Sequence, residues 1–300
     1  MPLRDTFESS ELHQRWESVY RTHPRLDSLN DRILERLLEI MRLAPGASIL
    51  DAGCGVGSHL VRFARRGFEC TGVDISRTIL EQAADNVARN RVGDHVRLHC
   101  QALENLALAS GSFDAVHCRG VLMHIPDWKR ALAELVRVLK PGGRIAILEA
   151  NHRAVEAHLV RVARRFRASQ SRMQVTPDGM EFWSEEGGHP FVQRVADQQA
   201  LKRELDSKGV RLLGGFAAEF WDVNRFPTGF FREAAIRFNQ LWFAVHGPAA
   251  ASHGVALVGE KLPTATPGPK VPPHLREAGV SAVPSRRPPG GMWSQGMTSS

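Results

Sequence analysis

The chain has few cysteines, no long apolar run and no cluster of side chains with metal-ligand spacing. Its four cysteines, Cys54, Cys70, Cys100 and Cys118, are scattered through 300 residues without a C-x-x-C pair. This scatter argues against a zinc site or a disulfide framework and favours buried, reduced thiols. No apolar run approaches the ~20 residues that span a membrane, and residues 1–17 lack the hydrophobic core of a signal peptide. We therefore expect a cytoplasmic protein without a resident metal.

Charge and length set the broad class. A chain of 300 residues with 43% hydrophobic residues can bury a large core, so one α/β domain with additions is expected. The formal net charge of +7 permits a nucleic acid or an anionic small molecule as partner. Many of the positive charges are arginines within helical patterns, where a solvated helix face is the default explanation.

The stretch ILDAGCGVGSHL, residues 49–60, is the centre of the chain's organisation. An apolar run ends in Asp51, glycines follow at 53, 55 and 57, and a helical pattern then begins. This order predicts a buried strand, a glycine loop and the first turn of a helix, a place where a ligand can lie against bare backbone amides. A second apolar strand ends in Asp74, where a ribose is usually held through its two hydroxyls.

Two ligands compete for this loop. A dinucleotide site needs G-x-G-x-x-G, but Ser58 occupies the place of the third glycine, and Asp51 would repel a pyrophosphate. A carboxylate there suits a ligand with positive charge near the loop, such as the ammonium and sulfonium of S-adenosylmethionine (SAM). We favour SAM, and a glycine turn without a ligand is the remaining alternative.

Strands alternate with helices from residue 46 onward. We predict strands at 48–52, 69–74, 96–100, 113–118, 144–149, 210–213 and 255–262, and helices at 58–66, 78–90, 128–139, 155–166, 198–208 and 233–245. Such alternation builds right-handed βαβ units and a parallel sheet. We divide the chain into an N-terminal helical cap (1–45), a core (46–150), an insertion and C-terminal part with a loop-like excursion (151–262) and a disordered tail (263–300).

The motifs together resemble a known family. ILDAGCGVGSHL, GVDIS, SFDAVHCRGVLMHIPD and ELVRVLKPGGRIAILEA, in this order, resemble the class I SAM-dependent methyltransferases, and most closely the small-molecule branch that includes the ubiquinone/menaquinone-type enzymes. The resemblance covers residues 46–150. It implies a Rossmann-like, doubly wound, seven-stranded and mostly parallel sheet with helices on both faces, N-terminal helices and an insertion after strand five. It also implies an enzyme that uses SAM as its cofactor.

The resemblance carries a set of cofactor-binding residues onto this sequence: Asp51, Ala52, Gly53, Cys54, Gly55, Gly57, Asp74, Ile75, Ser76, Gln101, Ala102, Leu103, Arg119 and Gly120. By this analogy the glycine loop with Asp51 would hold the methionine part, Asp74 the ribose hydroxyls and Ile75 the adenine. The segment 101–103 would also meet the adenine, and Arg119 and Gly120 would line the methionine side. Most relatives have Asp where this chain has Gln101, whose amide oxygen could still accept from the exocyclic amine.

His124 is the candidate catalytic residue. It follows strand four, beside the expected methyl donor, and an imidazole suits a general base for a hydroxyl or an acidic carbon. The alternative, which we favour, is that His124 orients the loop or the cofactor, because this histidine is common in relatives with unrelated acceptors. His152 and His189 are weaker candidates for the same role.

Three further groups of residues each allow two interpretations. Arg153, Arg161, Arg164, Arg165 and Arg167 could grip an anionic acceptor, but we favour a solvated face. Phe182, Trp183, Phe216, Phe220, Trp221, Phe226 and Trp242 fit an aromatic acceptor chamber or ordinary core. Trp16 and Tyr20 share a helix face that either packs or closes over the cofactor.

The expected function is methyl transfer to O, N or C of a small molecule, aromatic or anionic. An RNA or protein methyltransferase is the alternative that the basic charge allows. Against it, the sequence has no Asn-Pro-Pro-Tyr-type motif, no paired catalytic cysteines and no RNA-binding appendage, so a nucleic-acid partner is not expected. A third hypothesis is a SAM-binding partner protein without activity, which the intact glycine loop and both acids argue against.

Overall fold

The computed structural model describes residues 7–8, 23–164, 172–186, 189–227 and 229–263. The strands of this part of the chain are β1 (Ser48–Ala52), β2 (Glu69–Asp74), β3 (Val96–Cys100), β4 (Phe113–Arg119), β5 (Leu139–Ala150), β6 (Arg172–Thr176), β7 (Gly179–Glu186), β8 (His189–Ala196), β9 (Val210–Glu219) and β10 (Gly254–Lys261). Its α-helices are α1 (Pro24–Met41), α2 (Ser58–Ala64), α3 (Arg77–Arg89), α4 (Trp128–Val138), α5 (Val155–Arg164), α6 (Gln198–Ser207) and α7 (Phe230–Ala244).

The main sheet has seven strands in the order β3-β2-β1-β4-β5-β10-β9. β1 pairs in parallel with β2 and β4, β2 with β3, and β4 with β5, while β10 is antiparallel to both β5 and β9. The expectation of a seven-stranded, mostly parallel, doubly wound sheet is therefore confirmed. The strand order reverses between β1 and β4, and the carboxyl ends of these strands form the crevice where ligands of such sheets bind.

Helices cover both faces of the sheet because each presents one apolar stripe. Leu29, Ile33, Leu37 and Met41 of α1 are fully buried on one face, together with Leu60 and Phe63 of α2. On the opposite face Leu132 and Leu135 of α4 meet Leu201 and Leu205 of α6. The strands between them are therefore buried on both sides, as parallel sheets require.

The insertion after β5 contains the expected helix, α5, and a second sheet, so the loop-like excursion expected around Phe182 and His189 was wrong. Beyond α5, strands β6, β7 and β8 form an antiparallel three-stranded sheet in that order. Met180 and Phe182 alternate with the less buried Glu181 and Trp183 along β7, which is the pattern of a half-buried strand. The Pro-Asp-Gly sequence at 177–179, with Gly179 at φ +133°, is a turn signal for the first hairpin.

Two strands are longer than expected. β5 begins at Leu139 because the Lys-Pro-Gly-Gly segment stays within the strand, with a register shift against β4 between Phe113 and Ala115. β9 continues past Leu213 to Glu219, because the glycines at 214 and 215 are accommodated in the sheet. An added Cβ at Gly215 would lie 2.8 Å from the carbonyl oxygen of Ala256, so this position needs glycine.

Several expectations fall outside the described residues. They concern the tail from residue 264 onward, Trp16, Tyr20, Arg165 and Arg167. Of residues 9–45, which belong to the expected N-terminal helical cap, the structure describes residues 23–45, and these include α1. The domain boundaries given above stay predictions. No helix in the described ranges is long and apolar enough to cross a membrane. In the same ranges, no group of three or more His, Cys, Asp or Glu side chains is placed to hold a metal ion.

Candidate functional site

The glycine loop packs against the end of β2. The backbone N–H groups of Gly53 and Cys54 both donate to the carbonyl oxygen of Val73, at 2.7 and 3.0 Å. Gly53, Gly55 and Gly57 all have positive φ, between +52° and +75°. A Cβ on Gly53 would lie 2.4 Å from the side chain of Val121, whereas one on Gly55 would meet no atom within 4 Å. Gly53 thus allows close packing, and Gly55 faces open space.

Asp74, at the end of β2, ties the glycine loop to the next helix. Its Oδ2 accepts from the N–H of Gly55 at 3.0 Å and its Oδ1 accepts from the N–H of Ser76 at 3.1 Å. Burial raises the pKa of this carboxyl, and these backbone hydrogen bonds oppose the rise. Ser76 in turn caps α3 by accepting from the N–H of Ile79.

These elements surround a cleft of about 740 Å³, counting the space that opens to solvent. Most of the proposed cofactor-binding residues line it, together with His124: Gly53, Gly55, Asp74, Ile75, Ser76, Gln101, Leu103, Arg119 and Gly120. The remaining lining residues are Phe7, Ile79, Glu104, Val121 and Ile125, which the sequence analysis missed. Val121 and Ile125 lie beside His124 in a motif already noted, but no sequence signal connects Phe7 with this cleft.

Five of the proposed cofactor-binding residues lie outside the lining: Asp51, Ala52, Cys54, Gly57 and Ala102. Asp51 is 3% exposed, and its Oδ1 lies 2.7 Å from Nδ1 of His117 on β4. Its Oδ2 is buried without a hydrogen-bond partner among the described residues. The structure places the Asp51 carboxylate against the buried imidazole of His117, and its part in holding a cationic ligand stays a prediction.

Two predicted contacts are occupied by the protein itself. Oε1 of Gln101 accepts from the backbone N–H of Ala107 at 2.8 Å, so this amide orders the segment after β3. The Arg119 guanidinium donates to Asn30 of α1 at 2.8 Å and to Glu219 of β9 at 2.7 Å. Arg119 therefore brings its charge to the cleft already paired with a carboxylate.

His124 lies in the segment Val121–Pro126, which we call the β4 loop. Its Nδ1 is 3.1 Å from the carbonyl oxygen of Val192 on β8, so a neutral ring donates there and keeps its lone pair on Nε2. Burial lowers the pKa of His124 to about 4, and the hydrogen bond to Val192 only partly opposes this. The imidazole is therefore neutral near pH 7.

Residues 7–8 contact two elements beside the cleft, and Phe7 is one of its lining residues. The Phe7 ring makes edge contacts with His124, at a centroid distance of 5.8 Å, and with Phe191 of β8, at 6.1 Å. The carboxylate of Glu8 accepts from the N–H of Arg77 at 2.8 Å and from the hydroxyl of Thr78 at 2.9 Å, at the start of α3. This segment thus connects the Asp74 side of the cleft with the inserted sheet.

The other predicted groups do not reach the cleft lining. Arg153 is 63% exposed near Asp197, and Arg161 of α5 is not among the residues that line the cleft. Phe182 is buried in a small core between β7 and α5. Phe216 packs on Phe243, and Phe220, Trp221, Phe226 and Trp242 pack in edge contacts between β9, α7 and the segment that joins them.

The structure fits SAM at this cleft. Gly55 and Gly120 both have positive φ and line the cleft, and at neither would an added Cβ meet an atom within 4 Å. Their bare backbone therefore borders space that any side chain would fill. Asp74 lies beside Gly55 with its carboxylate fixed by two amides.

Comparisons with known proteins point to one family. Residues 50–147 match a family model described as "Methyltransferase domain". Methyltransferase GfsG of Streptomyces halstedii is 33% identical over 148 residues, which are 49% of this chain and 53% of that protein. The S-adenosyl-L-methionine-dependent Diels-Alderase iccD of Talaromyces variabilis is 37% identical over 130 residues, 43% of this chain and 44% of that protein. The chain thus spans about half the length of these relatives.

A solved structure agrees in fold. The geranyl diphosphate C-methyltransferase from Streptomyces coelicolor, in complex with Mg²⁺, geranyl diphosphate and S-adenosyl-L-homocysteine, superposes with a TM-score of 0.54 at 17% identity. The superposition covers 79% of this chain and 81% of that one.

Proposed function

We propose that this chain, which belongs to the class I SAM-dependent methyltransferases, transfers the methyl group of SAM to a small-molecule acceptor. The observation that carries the proposal is the cleft at the carboxyl ends of β1, β2 and β4, where Asp74 and the glycine loop meet. SAM, when bound, supplies a methyl group on a sulfonium carbon that is already activated for displacement. The protein then has to bind, orient and exclude water.

In this proposal, different lining residues bind different parts of SAM. Asp74 and Ser76 would hold the ribose, Ile75, Ile79 and Leu103 the adenine, and Gly53, Gly55, Arg119 and Gly120 the methionine part. Asp51, buried behind the loop, would act on the methionine part only indirectly. Phe7, Val121 and Ile125 provide apolar walls that exclude water from the reacting atoms.

The acceptor in this proposal is apolar or aromatic. The support is the ring cluster of Phe7, His124 and Phe191 at the cleft, since His124 and Phe191 lie 5.0 Å apart. An anionic acceptor has less support, because the one arginine in the lining, Arg119, is already paired with Glu219. A cytoplasmic location is part of the same proposal, and it rests on the free cysteines.

His124 would act as a proton acceptor through Nε2 or orient the acceptor. Its lowered pKa keeps the ring neutral, so that a lone pair is present at physiological pH. The same low pKa makes His124 a weak base, which favours the orienting role over full proton abstraction.

One relative favours a second candidate function. iccD is named a SAM-dependent Diels-Alderase, so a related domain carries a name for cyclisation rather than methyl transfer. In such a case the cleft would bind SAM and hold an apolar substrate in the conformation that cyclises, and SAM would keep its methyl group. The alternative of an RNA or protein methyltransferase gains no support from the relatives named above.

Calorimetry with S-adenosylhomocysteine tests the cofactor site. The wild type should bind with micromolar affinity, and Asp74→Ala should weaken binding about 10- to 100-fold, because hydrogen bonds to a charged group contribute about 1.5–3 kcal/mol. The matched control Asp94→Ala, at an exposed position beside β3, should bind like the wild type. Preference for NADH, or equal binding by both variants, would contradict the proposed site.

Methyl release then separates the two candidate functions. SAM with a labelled methyl group is incubated with the protein and a small-molecule extract. Label in an extractable product together with S-adenosylhomocysteine indicates methyl transfer. A changed substrate with intact SAM indicates cyclisation.

A further inference from the structure

The β4 loop is held by side chains from two later parts of the chain. From β5, Oε1 of Glu149 accepts from the N–H of Val121 at 3.1 Å and of Leu122 at 2.9 Å. From β8 of the inserted sheet, Arg194 reaches the carbonyl groups of the same loop. The loop that carries His124 therefore depends on contacts outside its own sequence.

Arg194 is the centre of the second set of contacts. Its guanidinium donates to the carbonyl oxygens of Leu122 at 3.2 Å, Ile125 at 3.0 Å and Pro126 at 3.3 Å. The same group pairs with Glu181 of β7 through two nitrogens, at 2.9 and 2.8 Å. Arg194 is 5% exposed, so these contacts are made away from water. A planar guanidinium with five N–H groups can serve three carbonyls and a carboxylate at once, which a lysine cannot.

The strand that carries Arg194 also contacts His124 itself. Val192, two residues earlier on β8, offers its carbonyl oxygen to Nδ1 of His124, and the Phe191 ring lies against the imidazole. Arg194 fixes the loop backbone on both sides of His124, at Leu122 and at Ile125. β8 therefore positions both partners of this hydrogen bond. Val192 supplies the acceptor, and Arg194 fixes the loop that carries the donor, His124.

We propose that Arg194 is a positioning residue, which fixes the β4 loop so that His124 is held against Val192 as the neutral tautomer with its proton on Nδ1. The inserted sheet thereby determines the state of a ring in the cleft. The effect on His124 stands on its own, whereas its importance for methyl transfer rests on the proposed function.

The test is an NMR titration of ¹⁵N-labelled histidine in the full chain, with S-adenosylhomocysteine titrated separately by calorimetry. In the wild type, His124 should show the Nδ1–H tautomer down to about pH 4, its pKa in this structure. In Arg194→Lys, the loop loses most of its carbonyl contacts, so the imidazole should leave the Val192 carbonyl and become exposed to water. Because burial is what lowers the pKa of His124, the ring should then titrate at least one pH unit higher and lose the single tautomer. Arg153→Lys, at an exposed arginine, is the matched control and should leave His124 unchanged.

A second variant covers the case in which Arg194→Lys fails to fold. Glu181→Gln leaves Arg194 in place and weakens its orientation, so His124 should lose part of its single-tautomer signal. The tautomer is the readout for this variant, because removing a carboxylate by itself lowers the pKa of a nearby imidazole. A His124 spectrum identical to the wild type in every folded variant would overturn the proposal. Failure of the wild type to bind S-adenosylhomocysteine would instead contradict the cofactor site and leave the His124 comparison valid.

Discussion

Glu149 makes the stability of this protein depend on pH in a way that can be calculated. The side chain is 4% exposed, and its Oε2 has no hydrogen-bond partner among the described residues. Burial raises the pKa of Glu149 from its ordinary 4.5 to about 7, although the N–H groups of Leu122 and Val121 and the charge of Arg194 oppose the rise. The folded protein therefore keeps a proton on Glu149 over a pH range in which the unfolded chain has released it.

This difference in proton binding determines the direction and the size of the change in stability with pH. Between pH 4.5 and 7 the folded state binds more protons than the unfolded state, so stability falls as the pH rises. A shift from 4.5 to about 7 corresponds to about 3 kcal/mol, of which about 2.5 kcal/mol develops between pH 5 and pH 8. Glu149→Gln keeps an oxygen that can accept from Val121 and Leu122 but does not titrate. The wild type should thus lose about 2.5 kcal/mol relative to this variant over the same range.

Urea unfolding at pH 5 and pH 8 measures this difference. Other titrating groups are shared by both proteins and cancel when the two free energies of unfolding are subtracted. Glu39→Gln, at an exposed glutamate on α1, is the control and should show no comparable change with pH. If the difference in unfolding free energy between wild type and Glu149→Gln changes by less than about 0.5 kcal/mol from pH 5 to pH 8, Glu149 is ionised in the folded protein like any surface glutamate and the reasoning is refuted.

Two further predictions concern the residues around the cleft. Gly53→Ala should abolish S-adenosylhomocysteine binding and destabilise the fold by clearly more than Gly46→Ala, as measured by calorimetry and urea unfolding. Both glycines have φ of +71°, so each variant carries the ~1–2 kcal/mol cost of that backbone, but only at Gly53 would the new Cβ overlap a side chain. For His124, whose pKa of about 4 is below its ordinary value, stability is lost as the pH falls below 6.5. The wild type should therefore lose about 2 kcal/mol relative to His124→Gln between pH 7 and pH 5, and equal unfolding curves at both pH values would exclude a buried neutral imidazole.

The main sheet was predictable because its signals are local. Alternation of apolar strands with helical stripes predicted β1, β2 and β3 with their observed bounds, and the resemblance implied the doubly wound, mostly parallel seven-stranded sheet. The inserted sheet was missed because polar residues interrupt the apolar pattern of its strands. β6 (Arg172–Thr176) has no buried residue, so its sequence carries no core-facing pattern.

The cleft was partly predictable, because topology brings the ends of parallel strands together. Gly55, Asp74 and Gly120 follow directly from that rule. The sequence could not show which of the polar side chains near the cleft already contact other residues of the protein. Asp51 is turned toward His117, which is a neighbour only because β1 and β4 pair in register, and Phe7 reaches the cleft from a part of the chain without any motif.

The place of β10 in the sheet affects how this chain must fold as it is synthesised. β10 is the last described strand in sequence, yet it lies between β5 and β9. A nascent chain that ends before Gly254 therefore has β5 with one open edge and β9 without its partner, and open edges recruit strands from other molecules. Closing the gap late, by contacts distant in sequence, is a slow step. Truncation of the chain before β10, by a shortened message or by a protease, would thus yield an aggregation-prone product rather than a smaller folded domain.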